Sequence, residues 1–159
     1  MPSRHKNIDK VEQFLRQHET LYQICTFPDT TRTAEDAARV IGCRVEQIAK
    51  SLIFRNSEDG NPLLIIASGG NRVSLEKFQQ TTNLKLVNAD AKFAKHHTGF
   101  PIGGVPPIAH KESIKTYLDR DLLNFDIVWA SAGTPDSVFS IQPAELGRLT
   151  EGEWLEVKA

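Results

Sequence analysis

The chain has 159 residues, of which 40% are hydrophobic and 25% charged, which suits one globular domain and excludes a disordered chain. A formal net charge of −1 excludes binding of nucleic acid through an overall basic field, so any RNA partner must be held by a local patch. Two cysteines, Cys25 and Cys43, lie outside any C-x-x-C pair, which excludes a disulfide framework or a thiolate zinc site.

In chain order, Ile8, Val11, Phe14 and Leu15 recur at helical spacing and predict an amphipathic helix over 4–18. A strand follows over 21–27, then a turn, PDTTRT. Thr33 with Asp36 resembles a helix start, and the helix AEDAARVI should stop at Gly42. RVEQIA gives a helical turn. KSLIFRN and PLLIIASG are strands joined by SEDGN, a hairpin turn with an Asp-Gly pair. A helix begins at Ser74, KLVNA (85–89) is a strand, and DAKFAKHH is a helix capped by Asp90. ESIKTYLD is a strand, RDLLNF a helical turn, and DIVWASAG and SVFSIQ are strands. PAELGRL is a helix opened by Pro143, and EWLEV a last edge strand. Helices and strands mingle without strict βαβ alternation, so the class is α/β or α+β with a mixed sheet. The polar N-terminus has no apolar signal core and no run reaches the ~18 residues of a membrane span, so a cytoplasmic protein is expected.

One loop stands apart. HHTGFPIGGVPPIAH (96–110) carries three glycines and three prolines around almost no charge. Gly103 and Gly104 permit close approach to the main chain, and Pro106 and Pro107 lack N–H groups. Main-chain donors are thus concentrated at Gly103, Gly104 and Val105. The loop is either a tight connection or a cradle for a carbonyl oxygen or oxyanion. Lys50 is the second oddity. It begins an apolar strand and shares a face with Leu52 and Phe54, so it either snorkels to the rim or points into a pocket.

Lys50 and this loop carry a resemblance. The chain resembles the YbaK family, which is similar to the editing domain inserted in bacterial prolyl-tRNA synthetases. The resemblance rests on AKSLIF (49–54), TG (98–99), GGVPP (103–107) and SAGTPDSVFSI (131–141), and spans nearly the whole chain. It implies a single compact α/β domain over 1–159, with a curved, mixed and mostly antiparallel sheet flanked by helices. It also implies a deacylase acting in trans on mischarged aminoacyl-tRNA, without cofactor or metal, with a synthetase as a candidate partner. The family's functional Lys falls on Lys50 and its glycine loop on Gly103 and Gly104. Many relatives read Phe-Gly-His after the double proline, where this chain reads Ile108-Ala109-His110.

The expected reaction is water attack on the ester between a small amino acid and the terminal ribose of tRNA, tRNA-Pro being the expected carrier. No Gly-x-Ser-x-Gly elbow or H-E-x-x-H motif offers another route. Gly103 and Gly104 amides would stabilise developing negative charge, and Lys50 would pair with the terminal phosphate or orient the ester. Val105, Pro107 and Ile108 are expected wall residues that exclude larger acyl groups. Thr98 is a further expected substrate contact. His110 either bonds substrate or caps the next strand, and Tyr22 either lines the pocket or packs in the core. The rival readings are a non-catalytic module that holds tRNA or an aminoacyl group, and a DNA-binding protein; no DNA or membrane partner is expected.

Overall fold

The structure is a computed structural model and describes residues 5–28 and 33–159. The expected turn at 28–33 therefore lies largely outside the described residues. Helix α1 (Lys6–Gln17) opens the fold, followed by β1 (Ile24–Thr26) and α2 (Ala34–Ile41). Next come β2 (Ile48–Asn56), β3 (Pro62–Ser68), α3 (Leu75–Thr82), β4 (Leu86–Asn88) and α4 (Ala91–Thr98). The chain ends with β5 (Lys115–Asp119), β6 (Val128–Ser131), β7 (Ser137–Ile141), α5 (Pro143–Thr150) and β8 (Glu153–Leu155).

Local chemistry accounts for the helix ends. The hydroxyls of Thr33 and Ser74 and the carboxylate of Asp90 each accept from a backbone N–H one turn in, as N-caps do. Gly42 and Gly99 close α2 and α4 in the left-handed conformation. Two elements differ from expectation in ways that matter. The first strand shrinks to Ile24–Thr26, because only these residues pair with Phe139–Ser137 of β7; Leu21 is 84% exposed. The helical turn before β2 is a single 3-10 turn, Val45–Gln47, so β2 begins at Ile48. Lys50 is therefore inside the strand rather than at its end.

The strands form one mixed sheet in the order β1-β7-β6-β2-β3-β5-β8, with β4 added to β2. Antiparallel pairs (β1–β7, β7–β6, β2–β3, β2–β4) outnumber parallel ones (β6–β2, β3–β5, β5–β8), as expected. Alternation along β3 shows how the sheet divides the core. Leu64 and Ile66 join a cluster with Val11 and Leu15 of α1, Ala94 of α4 and Leu146 of α5. Leu63, Ile65 and Ala67 face the other way, onto Phe78 of α3 and Tyr117. A third cluster on that second face holds Phe27, Ala37, Ala38, Ile48 and Val138 under α2, with Cys25 and Cys43 packed at its rim. The sheet is thus a middle layer between two sets of helices. A wholly buried side chain such as Phe78 or Phe139 contributes about 2–3 kcal/mol through removal from water.

β2 holds the feature that makes a site. One edge pairs with β3 over Ala49–Arg55. The other edge is shared: β6 takes Ile48 and Ala49, and β4 takes Phe54–Asn56. Between them β2 has no strand partner on that edge. The N–H of Gly69 bonds the carbonyl of Ile48 and the N–H of Asn56 bonds the carbonyl of Asn61, so even-numbered residues of β2 direct their main-chain groups at β3. The N–H and C=O of Ser51 consequently face the gap.

Candidate active site

A cavity of about 300 Å³ occupies that gap, at the lower end of the range for small-molecule sites. Lys50, Ser51 and Leu52 form one wall. Gly103 and Val105 of the long loop form another, and Ser131, Thr134 and Ser137 around the β6–β7 turn a third. Phe27, Ala37, Ile48 and Val138 of the third apolar cluster close its base. Lys50 stands on the sheet face between Ile48, in that cluster, and Leu52 and Phe54, in the second. Among the described residues no carboxylate lies within ion-pair distance of its ammonium. A half-buried cation without a counter-ion, in a cavity of mixed apolar and hydroxyl lining, is a group available to a ligand anion or ester oxygen.

The loop takes its shape from two close approaches. Residues 102–104 form a 3-10 turn in which the N–H of Gly104 donates to Pro101 O at 2.8 Å. That amide is occupied, so the double glycine does not present two free donors as expected. Among the described residues, the amides of Gly103 and Val105 have no hydrogen-bond partner. Gly104 instead serves packing: a Cβ there would sit 2.8 Å from both Cα and the carbonyl carbon of Thr134. On the other side of that contact Gly133, at φ +105°, lies under α1, where a Cβ would meet Asn7 O at 2.9 Å. Asn7 Nδ2 donates to Gly133 O at 3.2 Å and clamps the turn to the helix. The turn is braced internally: Thr134 Oγ1 donates to Asp136 Oδ1 at 2.7 Å and lies 2.6 Å from Ser137 Oγ. Asp136 thus acts as a turn residue, as its setting suggests.

One polar atom in the wall is unusual. Ser51 Oγ is alone among the buried side-chain nitrogen and oxygen atoms of the described residues in having no hydrogen-bond partner. The remaining expected site residues lie elsewhere. Pro107, Ile108 and His110 line a separate hollow of about 230 Å³ with Phe14 and Leu149. His110 Nε2 lies 2.6 Å from Pro106 O; since a carbonyl only accepts, this nitrogen carries the proton. Burial pushes the His110 pKa below its ordinary value, partly opposed by that bond, so the ring is neutral at pH 7 and ties the loop from behind. Thr98 is fully buried; its hydroxyl donates to Ala94 O and accepts from the N–H of Phe100. Tyr22 is on the far side of the sheet, with its hydroxyl donating to Glu12 and accepting from Arg16.

Sequence reasoning did not single out Ser131, Thr134 and Ser137. The Gly-Pro-Ser character of SAGTPDS between two strands was the available signal. Trp129 of β6 is half-buried and also lines the cavity.

Comparison with known proteins bears on the family and the fold. A Bacillus subtilis (strain 168) protein named YwhH and described as uncharacterized is 32% identical over 135 residues, 84% of this chain and 85% of its own. A solved structure of a candidate trans-editing enzyme for prolyl tRNA synthetase is 37% identical, covers 99% of both chains and superposes with a TM-score of 0.90. Another, from work grafting linear epitopes onto scaffold proteins, is 36% identical with a TM-score of 0.88, covering 96% of this chain and 97% of its own. A sequence profile of the aminoacyl-tRNA editing domain matches residues 28–149, which span both cavity-forming loops, and the chain therefore belongs to the aminoacyl-tRNA editing domain family.

Proposed function

We propose that the protein is a trans-acting deacylase that hydrolyses the ester of a small amino acid mischarged onto tRNA, with tRNA-Pro as the carrier and the whole chain acting as one editing domain. The reading is supported by one small cavity that Lys50, Gly103 and Val105 all line, the amides of the last two having no hydrogen-bond partner among the described residues. The carrier assignment is supported by the likeness to a candidate trans-editing enzyme for prolyl tRNA synthetase.

In this reading the substrate carbonyl lies against the Gly103 and Val105 amides. Water adds to the carbonyl carbon and negative charge builds on the carbonyl oxygen; as that charge collapses back into the C=O bond, the C–O bond to the ribose breaks and the water's proton passes to the departing ribose hydroxyl, leaving a free amino acid. Two fixed donors aimed at that oxygen stabilise the transition state more than the ground state, and losing one such donor costs ~10²-fold or more in rate. Val105 supplies the second donor, the role first expected of Gly104. Lys50 pairs with the terminal phosphate or the ester oxygen and fixes the ester over the donors. The apolar base holds the acyl side chain and excludes larger ones by overlap.

Incubation with alanyl-, cysteinyl-, seryl- and threonyl-tRNA tests this reading, with Lys50→Ala in parallel. Hydrolysis of at least one ester, reduced ~10²-fold or more in the variant, is expected. No hydrolysis of any ester would leave a non-catalytic aminoacyl-tRNA module. Full activity in Lys50→Ala would remove that residue from the mechanism.

A further inference from the structure

An ester that enters the cavity remains joined to a ribose and a polyanionic strand, which must leave across the rim. A second, larger groove of about 540 Å³ adjoins the cavity at Ile102 and Gly103, and is lined by His5, Lys6, Asn7, Ala91, Lys95, Pro101 and these two loop residues. Ile102 and Gly103 line both hollows, so the groove lies directly beside the cavity. Its charged walls are cationic. Lys6 and Lys95 are exposed, and neither has a carboxylate within ion-pair distance among the described residues. Lys95 Nζ is steadied by Gly99 O at 3.1 Å. Lys10, one turn along α1, lies outside the groove's lining, with its ammonium 5.7 Å from the Phe100 ring centre. The neighbouring acids in sequence, Asp9 and Asp90, do not line the groove, and the exposed Asp90 carboxylate accepts from Phe93 N as the cap of α4. Ile102, 47% exposed, offers an apolar surface at the junction.

Building on the deacylase reading, we infer that this groove between the starts of α1 and α4 carries the single-stranded 3′ end of the tRNA, with Lys6 and Lys95 on its phosphates. Because the net charge is −1, attraction to RNA has to be local, and this groove supplies it beside the cavity mouth. Ile102 packs against the sugar or base of the terminal nucleotide as it turns into the cavity.

The test is binding of uncharged tRNA, followed by fluorescence anisotropy across a salt series. The variant Lys6→Glu/Lys95→Glu is compared with Lys85→Glu/Lys115→Glu, which changes net charge equally but lies outside the groove. The groove pair is expected to weaken binding at least ~10-fold and to lower the slope of log K against log salt by about 1.4, two single-strand phosphates. The control pair should retain most of the affinity. Equal binding by the groove variant, equal loss in the control pair, or no binding by the unaltered protein overturns the inference. Uncharged tRNA carries no ester, so the two readings separate. A protein that binds tRNA through this groove yet hydrolyses no ester keeps the groove and loses the deacylase.

Discussion

Gly104→Ala isolates the contact that aims the loop. The added Cβ would lie 2.8 Å from two backbone atoms of Thr134 and 3.0 Å from Pro135 N. Carbon contacts settle near ~3.5 Å, so the loop and the β6–β7 turn must part by about 0.7 Å. Neither side yields cheaply: the turn is fixed by Asn7 and by the Thr134–Ser137 pair, and the loop by His110 behind Pro106. Forced overpacking of this kind costs about 1–3 kcal/mol. It also moves the Gly103 and Val105 amides by a comparable distance, enough for a loss approaching ~10²-fold in ester hydrolysis. Gly103→Ala is the matched control, since its Cβ would meet only Pro135 Cγ at 3.8 Å. Its stability should stay within about 0.5 kcal/mol. Urea unfolding of both variants reads the difference. Equal stability of the two, or the greater loss in Gly103→Ala, would refute the packing role of Gly104.

Three other outcomes follow from particular contacts. Asp119 is buried and accepts from Ser68 N, Asn71 Nδ2 and Asp121 N, so Asp119→Ala strands three donors and should cost about 2–5 kcal/mol in urea unfolding. Ser51→Ala removes a buried hydroxyl that satisfies nothing, so its thermal midpoint should hold or rise, whereas a clear fall would show a hidden partner. His110 has a folded pKa below its ordinary 6.5, so the unfolded chain binds the extra proton first as pH falls. Its contribution is silent above pH 6.5, and below it stability should decline by up to about 1.4 kcal/mol per pH unit until the folded ring also protonates. His110→Gln should flatten this decline, and an unchanged pH profile would contradict the assignment.

Much of the fold was legible because its signals are local. Caps at Thr33, Ser74 and Asp90 and the hairpin at 57–61 are written in adjacent residues. The shared edge of β2 was not legible, since it depends on which strands end early, and nothing within KSLIFRN encodes where β6 and β4 stop. The same holds for the site. Lys50 and the glycine loop announce themselves by composition. The arrangement of the loop, with Gly104 packed against Thr134 and the Gly103 and Val105 amides left without a partner among the described residues, depends on a turn 30 residues away in sequence. Pro107 and Ile108 looked like walls because they follow Val105, but the chain bends at these two residues and buries them in a separate hollow.

The central claim is that the peptide nitrogens of Gly103 and Val105 meet the acyl carbonyl in the hollow that holds Lys50. Amide NMR during titration with a non-hydrolysable alanyl-adenosine analogue tests it directly. The account predicts that the Gly103 and Val105 amide protons move downfield together, while Gly104, already bonded to Pro101, shifts little. Ligand-induced shifts centred on His110 and Ile108, with Gly103 and Val105 unmoved, would contradict it.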